Sequence, residues 1–366
     1  MTDVILPGVY ITVRDEGLIS VGGVSTGNIG IVGTALEGAT NKVSTLSSLT
    51  DAKEIFGPKQ GASYAAKAIS GANLLKALEL VYGNGGSTVY AVRAEGDTAA
   101  HYETALAALE SDIINIVLLA GQDVGNAEMV SKLKGHLTRT DGIKRERIGV
   151  IGCNGTSTAD TVAAKASDAT LDNGRLIYAA PGISLKRRDP ATGVVTEENL
   201  SGSYMAAAVG GLISSLPVQT SPTNKNINVT GLAAEYNYGQ LEKLVKSNVL
   251  TVEKREGFRV VKGITTSTNT AWAQITTRRI VDYAIYGVRS ACNPYIGKLN
   301  NVRVRGAMKA TIDGFLTRMV AAEALVGYSL DVTATRAQEI AGQAIVSLSI
   351  QPTFSIDYIM VTMTLG

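Results

Sequence analysis

The chain has 366 residues, of which 45% are hydrophobic and 18% charged, a composition typical of a globular protein long enough for two or three domains. Its 34 Lys and Arg residues nearly balance 32 Asp and Glu residues, and a net charge of +2 excludes a global field that would attract nucleic acid or anionic membrane. No apolar run approaches the length of a membrane span and the N-terminus lacks signal-peptide features, so we expect a protein made and kept in a cytosol.

The first segment is predicted to be an extended arm. Apolar and polar side chains alternate there with the two-residue period of a β-strand that has one covered face. We therefore assign residues 1–20 to an N-terminal arm. Its predicted strand consists of Val9, Tyr10, Ile11, Thr12 and Val13.

Residues 21–95 are predicted to form a small β-rich domain. Short strand-like pieces at 29–34, 42–46 and 88–93 are separated by Gly, Ser and Thr residues, and a helical pattern covers 63–81.

Residues 96–236 show the alternation of helices with buried strands. Continuous apolar runs near 113–119, 147–152 and 175–180 are separated by helical patterns, which indicates a parallel sheet covered on both faces. A polar excursion over 186–193 is predicted to be a surface hairpin or loop. The fold class is therefore mixed α/β.

A connector rich in Pro, Thr and Asn over 216–237 suggests a further boundary, after which residues 237–352 are predicted to form an α+β domain. The last segment, 353–366, is predicted to be a second strand arm. The residues assigned to its strand are Ile356, Tyr358, Ile359, Met360, Val361 and Thr362.

Two terminal strands leave backbone donors and acceptors that need partners. Periodicity alone leaves two alternatives open, because each strand can pair within its own subunit or add to the sheet of a neighbour.

Motifs for cofactors and metals are absent from the sequence. The glycines from Gly27 to Gly33 have the spacing GxxGxxG, without the GxGxxG of dinucleotide sites. The only two histidines, His101 and His136, have no second ligand at helical spacing, and we expect both on helix surfaces. Cys153 and Cys292 form no metal-binding pattern and are interpreted as reduced core residues. We predict no cofactor, no metal and no nucleic-acid partner.

Residues 201–211 resemble the nucleophile motif of subtilases, in which Gly-Thr-Ser-Met-Ala opens a helix. Aligned on Gly202, Met205 and Ala206, the nucleophile position is Tyr204, which cannot replace a serine activated by a histidine base. Ser203 is one residue away and is interpreted as a helix cap or turn residue. A serine hydrolase of subtilase-like fold remains the alternative function.

Five segments in order resemble the tail sheath family of contractile phages and related injection systems. They are Leu-Pro-Gly-Val-Tyr at 6–10, Ile-Gly-Ile-Val-Gly-Thr at 29–34, Thr-Val-Tyr-Ala-Val-Arg at 88–93, Trp272 with Ile-Thr-Thr-Arg-Arg-Ile-Val-Asp-Tyr at 275–283, and Leu-Val-Gly-Tyr at 325–328, which would close the last long helix.

The resemblance implies a structural subunit with a subtilisin-like middle domain and no catalytic residues. It implies stacked hexameric rings around an inner tail tube, with further contacts to baseplate and tail terminator proteins but none to the membrane. Both arms would donate strands to neighbouring subunits, which favours the second alternative above. The C-terminal domain would face the tube, and the cations chosen as candidates for an acidic tube surface are Arg303, Arg305 and Lys309.

Contraction would then repack subunits without nucleotide hydrolysis, since the chain has no Walker loop. The implied location is a virion tail or injection particle assembled in the cytoplasm of a bacterial host. A monomeric adhesin is a third function class. Phage, bacteriocin and injection device remain alternatives within the family.

Overall fold

The computed structural model describes residues 26–58, 72–188, 193 and 195–365. The predicted N-terminal strand, Val9 to Val13, lies outside these residues. The strands are β1 (Ile29–Gly33), β2 (Val43–Leu46), β3 (Val89–Arg93), β4 (Ile116–Asp123), β5 (Ile148–Gly152), β6 (Leu176–Ala180), β7 (Ile183–Arg188), β8 (Val195–Leu200), β9 (Leu250–Lys254), β10 (Phe258–Val260), β11 (Leu325–Thr333) and β12 (Ile345–Pro352). The helices are α1 (Leu49–Phe56), α2 (Leu74–Gly83), α3 (Ala99–Ala108), α4 (Ala127–Gly142), α5 (Ala159–Ala166), α6 (Gly202–Ser215), α7 (Tyr238–Lys246), α8 (Ile275–Cys292), α9 (Val302–Ala321) and α10 (Arg336–Ile340).

Eight of these strands form one large sheet in the order β10-β9-β6-β5-β4-β1-β3-β2. The pairs from β9 across to β3 are parallel, whereas the edge strands β10 and β2 pair antiparallel. Strands β1, β5 and β6 are buried along their whole length, as expected for parallel strands covered on both faces. The mixed α/β class is confirmed.

Helices cover both faces of this sheet, and each face has its own apolar core. Helices α2 and α6 pack on one face, while α3, α4 and α5 pack on the other. The two-residue period of a strand divides β4 between the cores, since Ile116 and Leu118 belong to the first and Val117 and Leu119 to the second.

The predicted separate domain at 21–95 is wrong for the residues described. Strands β1, β2 and β3 belong to the large sheet, and β1 lies between β3 and β4 with both of its edges paired. A fully buried strand needs partners on both sides for its backbone groups, and β4 supplies one of them from beyond the predicted boundary.

The predicted boundary at 237 also needs correction. Helix α7 packs on the second core through Leu244, and β9 pairs with β6, so residues 238–260 complete the large sheet. Contacts among the described residues divide the chain into one unit of residues 26–283 and 352–365 and a second unit of 284–351. The C-terminal unit therefore begins at residue 284, 47 residues after the predicted boundary at 237.

The unit of residues 284–351 consists of α9 packed on a two-stranded sheet of β11 and β12, together with α10 and the end of α8. Helix α9 buries Ile312, Phe315, Leu316 and Met319 on one face. It ends at Ala321, so the Gly-Tyr pair at 327–328 lies in β11 and does not close the helix as expected.

The polar segment after β6 forms a hairpin, which was one of the two predicted alternatives, a hairpin or a loop. Strands β7 and β8 pair antiparallel from Ile183 with Leu200 to Arg188 with Val195. Among the described helices, none is both long and apolar enough to cross a bilayer.

Candidate assembly surfaces and the remnant of a nucleophile motif

The segment that resembles a nucleophile motif does open a helix. Ser201 is the N-cap of α6, and its hydroxyl accepts a hydrogen bond from the backbone N–H of Ser203 at 3.2 Å. The same hydroxyl donates to a carboxylate oxygen of Asp123, at the end of β4, at 2.7 Å. The cap thus ties α6 to the carboxyl end of the sheet.

Neither candidate hydroxyl in this segment can act as a nucleophile. Burial, reinforced by the charges of Glu198 and Asp97, raises the pKa of Tyr204 to about 12, so its phenol stays protonated. The Ser203 side chain is 2% exposed, and its hydroxyl has no hydrogen-bond partner among the described residues. A nucleophile needs both a neighbouring base and access to substrate, and Ser203 has neither.

His136 is buried, so the expected surface position is wrong for this residue. Its Nε2 atom lies 3.2 Å from Nη1 of Arg147. The guanidinium group of Arg147 also donates to two carbonyl oxygens, from Nη1 to Leu109 and from Nη2 to Asp112, each at 3.1 Å. Burial, with the positive charges of Arg147 and Arg139, lowers the pKa of His136 to about 3.

We predict that His136 makes the folded chain sensitive to acid. The unfolded chain takes up a proton at this imidazole below its ordinary pKa of 6.5, whereas the folded chain does so only near pH 3, so stability falls as the pH drops through that window. The expected loss is about 1.4 kcal/mol per pH unit. Urea unfolding of dilute subunits at pH 7 and pH 5 measures it.

His136→Gln should reduce the difference in unfolding free energy between pH 7 and pH 5, whatever it does to stability at pH 7. His101→Gln is the matched control, because His101 is only partly buried and lies at the start of α3. Equal pH dependence in the wild type and both variants would contradict the prediction.

Metal-ligating side chains do not converge in the part of the chain that the structure describes, where no group of three His, Cys, Asp or Glu residues could hold an ion. Cys153 is buried and Cys292 half-buried, and both are free thiols. Burial raises the pKa of Cys153 to about 12, which keeps it an unreactive thiol.

The Arg-Arg pair at the start of α8 has an internal role. Arg278 stacks over Trp272, 4.3 Å from the ring centroid, and pairs with Asp282, four residues later on the helix, at 2.5 Å. Asp282 also pairs with Arg175 at 2.7 Å. Asp282 therefore connects α8 to Arg175, the residue that precedes β6.

Arg279, the second residue of that pair, is 6% exposed and has no carboxylate partner among the described residues. Its guanidinium donates to the carbonyl oxygens of Leu216 at 2.9 Å and of Pro217 and Thr26, each at 3.1 Å. Burial lowers the pKa of Arg279 to about 10. Arg279 caps the end of α6, whose C-cap residue is Leu216.

The three cations chosen as tube-facing candidates have different surroundings. Arg305 needs correction as a candidate, because it is 8% exposed and pairs with Glu339 at 3.0 Å and with the side-chain oxygen of Asn300 at 2.8 Å. Lys309 is exposed and forms a surface pair with Asp331 at 3.2 Å. Arg303 is exposed, with no side-chain partner among the described residues.

The C-terminal segment has two parts, and the first is anchored to its own chain. The side chain of Gln274 donates to Asp357 at 3.2 Å and accepts from the backbone N–H of Ser355 at 3.3 Å. Lys262 pairs with Asp357 at 3.6 Å and donates to the hydroxyl of Tyr358 at 3.1 Å. No motif in the sequence marks Lys262 and Gln274 as an anchoring site.

The second part, residues 359–365, is called the tip here. The structure forms no strand over residues 353–365. The tip carries no charged residue. Its large side chains are almost fully exposed: Ile359 82%, Met360 96%, Val361 76%, Met363 88% and Leu365 99%. An uncharged segment with unburied apolar side chains is a surface that needs a partner.

Comparison with solved structures identifies the fold. The chain superposes on the helical sheath of the anti-feeding prophage in its contracted state with a TM-score of 0.73 and 17% identity, covering 99% of each chain. For a chain of the anti-feeding prophage baseplate, determined with six-fold symmetry, the TM-score is 0.71 at 16% identity, covering 100% of each chain. For the contracted sheath complex of an extracellular contractile injection system, PVC, it is 0.72 at 16% identity, covering 100% of this chain and 98% of that chain. The fold is that of contractile sheath proteins.

Sequence models of protein families agree with the fold. Residues 95–266 match the phage tail sheath protein central domain, and residues 267–366 match the phage tail sheath C-terminal domain. A search of curated proteins finds no match. The chain belongs to the phage tail sheath protein family, and it is accordingly a structural protein of a contractile tail and not an enzyme.

Proposed function

We propose that this chain polymerises as stacked hexameric rings around an inner tail tube and contracts by rearrangement of its subunits, driving the tube through a target envelope. The family assignment supports a sheath, and the similar chains in a helical sheath and in a six-fold baseplate support self-assembly with that symmetry. The proposed particle is a phage tail or injection device, assembled in the cytoplasm of its bacterial host.

The observation that carries this proposal is the exposed tip. Residues 359–365 leave a row of backbone donors and acceptors and several apolar side chains without partners among the described residues. Strand addition to the sheet of a neighbouring subunit would satisfy both at once. The anchor of Lys262 and Gln274 would fix where the tip leaves its own subunit. We propose the same role for Val9 to Val13 at the other end of the chain.

Further partners follow from the same proposal. Arg303 and Lys309, both exposed on α9, are the candidates that remain for an acidic tube surface. Baseplate and terminator proteins would contact the two ends of the polymer. We also propose that the large sheet with α6 derives from a subtilisin-like domain.

The test uses two substitutions at one position of the tip. Val361→Pro removes a backbone N–H that a strand ladder needs, whereas Val361→Thr keeps that donor and the β-branched shape. We expect the wild type and Val361→Thr to sediment as polymers and Val361→Pro to remain as soluble subunits. Negative-stain microscopy and sedimentation across a concentration series provide the measurement.

Because Val361 is 76% exposed, the folded subunit should have the same urea unfolding midpoint in all three chains. That control separates loss of assembly from loss of folding. Normal polymers from Val361→Pro would show that the tip backbone is not paired between subunits. Monomeric wild-type protein at all concentrations would favour the adhesin alternative.

A further inference from the structure

A small pocket lies beside the carboxyl ends of β4 and β5, within the unit of residues 26–283. Its volume is about 190 Å³. Side chains from the loop after β5, from one face of α5 and from β6 line it: Asn154, Ser157, Thr161, Lys165 and Tyr178. The carboxyl edge of a parallel sheet is where ligands bind in open α/β folds.

Tyr178 provides an unused polar group in this pocket. Its side chain is 1% exposed, and its hydroxyl has no hydrogen-bond partner in the part of the chain that the structure describes. A hydroxyl that opens onto a pocket without a partner in its own chain is free to donate a hydrogen bond to a ligand. Burial raises the pKa of Tyr178, which therefore remains a donor.

Lys165 supplies a positive charge on the same pocket. Its ammonium group pairs with Asp168 at 3.2 Å, and both side chains are about one-third exposed: 31% for Lys165 and 38% for Asp168. A pair this exposed is worth little, so Lys165 can exchange its partner for a ligand at low cost. The amide of Asn154 and the hydroxyl of Ser157 add donors from the loop.

The acidic groups near the pocket already have partners. Asp123 accepts hydrogen bonds from the hydroxyl of Ser201 and from the backbone N–H of Gly125, at 2.7 and 2.8 Å. Asp160, on the first turn of α5, pairs with Lys243 at 2.7 Å. The pocket therefore presents several hydrogen-bond donors and one cation, while the nearby carboxylates are paired with other groups.

We propose that this pocket binds a small oxyanion, a carboxylate or phosphate group, held by Tyr178, Lys165 and the loop after β5. Charge-assisted hydrogen bonds from a phenol and an ammonium group suit such a ligand. The group can come from a free anion or from an acidic side chain of another copy of this chain. The proposal does not depend on the role of the tip.

Saturation-transfer NMR with acetate tests the site, because it detects weak binding to the full chain in any state of assembly. We expect transfer to acetate with the wild type, and an apparent affinity about ten-fold lower for Tyr178→Phe and for Lys165→Gln, since each loses one charge-assisted bond. Lys243→Gln is the matched control, because it removes a lysine that pairs with α5 outside the pocket. Absence of transfer with dilute, unassembled wild-type subunits, or equal transfer in all four chains under those conditions, would overturn the proposal.

A second comparison identifies the source of the anion. If a neighbouring subunit supplies it, wild-type polymers should show no transfer while the Val361→Pro chain does, and Lys165→Gln should reduce the sedimenting fraction. If a free anion binds, polymers and subunits should show equal transfer. Should Val361→Pro still polymerise, the role of the tip fails, while the acetate result for the wild type and its pocket variants stands.

Discussion

Replacing Gly152 by alanine is expected to destabilise the folded chain severely. A Cβ atom at this position would overlap the carbonyl group of Gly202 and lie 2.5 Å from the backbone nitrogen of Ser203. The backbone N–H of Gly202 donates to the carbonyl of Cys153 at 2.8 Å, so the start of α6 and the end of β5 are in direct contact. Strand β5 is paired on both edges and cannot shift to relieve the clash.

The expected loss in unfolding free energy is at least about 3 kcal/mol, the upper end of the cost of overpacking. Chemical denaturation of dilute subunits measures it, and a low soluble yield would agree with it. Gly155→Ala is the matched control, because no atom lies within 4 Å of the added methyl group. A loss below about 1 kcal/mol for Gly152→Ala would show that α6 can move away from β5.

Replacing Arg279 by methionine should have the second large effect. The variant keeps the length and apolar stem of the side chain but leaves the carbonyls of Leu216, Pro217 and Thr26 without their donor. Leaving buried carbonyl groups without their charged donor lowers the stability by more than the net contribution of the lost hydrogen bonds. Part of this loss is offset because the variant no longer has to bury a positive charge. We expect a net loss of about 3 kcal/mol in unfolding free energy.

Arg279→Lys should fall between the wild type and Arg279→Met, because an ammonium group cannot reach three carbonyls in the planar arrangement of a guanidinium. Arg145→Met is the control: Arg145 is half-buried and its side chain makes no hydrogen bond among the described residues. Equal stability of Arg279→Met and the wild type would mean that water replaces the guanidinium at the end of α6.

Sequence reasoning recovers the parts of the fold that depend on local pattern. Continuous apolar runs predict β4, β5 and β6, because strands buried on both faces consist mainly of apolar residues. A helical period predicts α4 and α6, because a helix that packs on a sheet buries apolar residues along one face. The short helix α1 was missed although its capping box, with Ser48 at the cap and Asp51 three residues later, is visible in the sequence.

Domain boundaries could not be predicted, because they depend on pairing between distant residues. The parallel pairing of β6 with β9 joins Ala179 to Leu250, and nothing near Leu250 in the sequence specifies that partner. The Pro-rich and Asn-rich connector before α7 has the composition of a linker, yet it lies within one unit. Strands β11 and β12 were missed because they are largely exposed and lack the apolar runs of the core.

The candidate site shows the same limit at the level of single residues. The sequence predicts a terminal strand arm, whereas the structure forms no strand over residues 353–365, anchors the first part of this segment and leaves its tip exposed. By contrast, the burial of Arg279 and Arg305 could not be predicted, since a charged residue in a sequence does not reveal the carbonyls or the carboxylate that will surround it. The anchoring role of Lys262 and Gln274 depends on contacts more than 80 residues away, with Tyr358 at a separation of 96 and Asp357 at 83.

The uncharged tip determines how a polymer built on it would respond to its surroundings. Burying apolar side chains is driven by entropy near room temperature and weakens on cooling, and dissolved salts that screen ion pairs do not weaken it. A contact between subunits that is made in this way tolerates the changes in ionic strength that a particle meets between one cell and the next. Its vulnerability is to cold, where subunits would tend to dissociate.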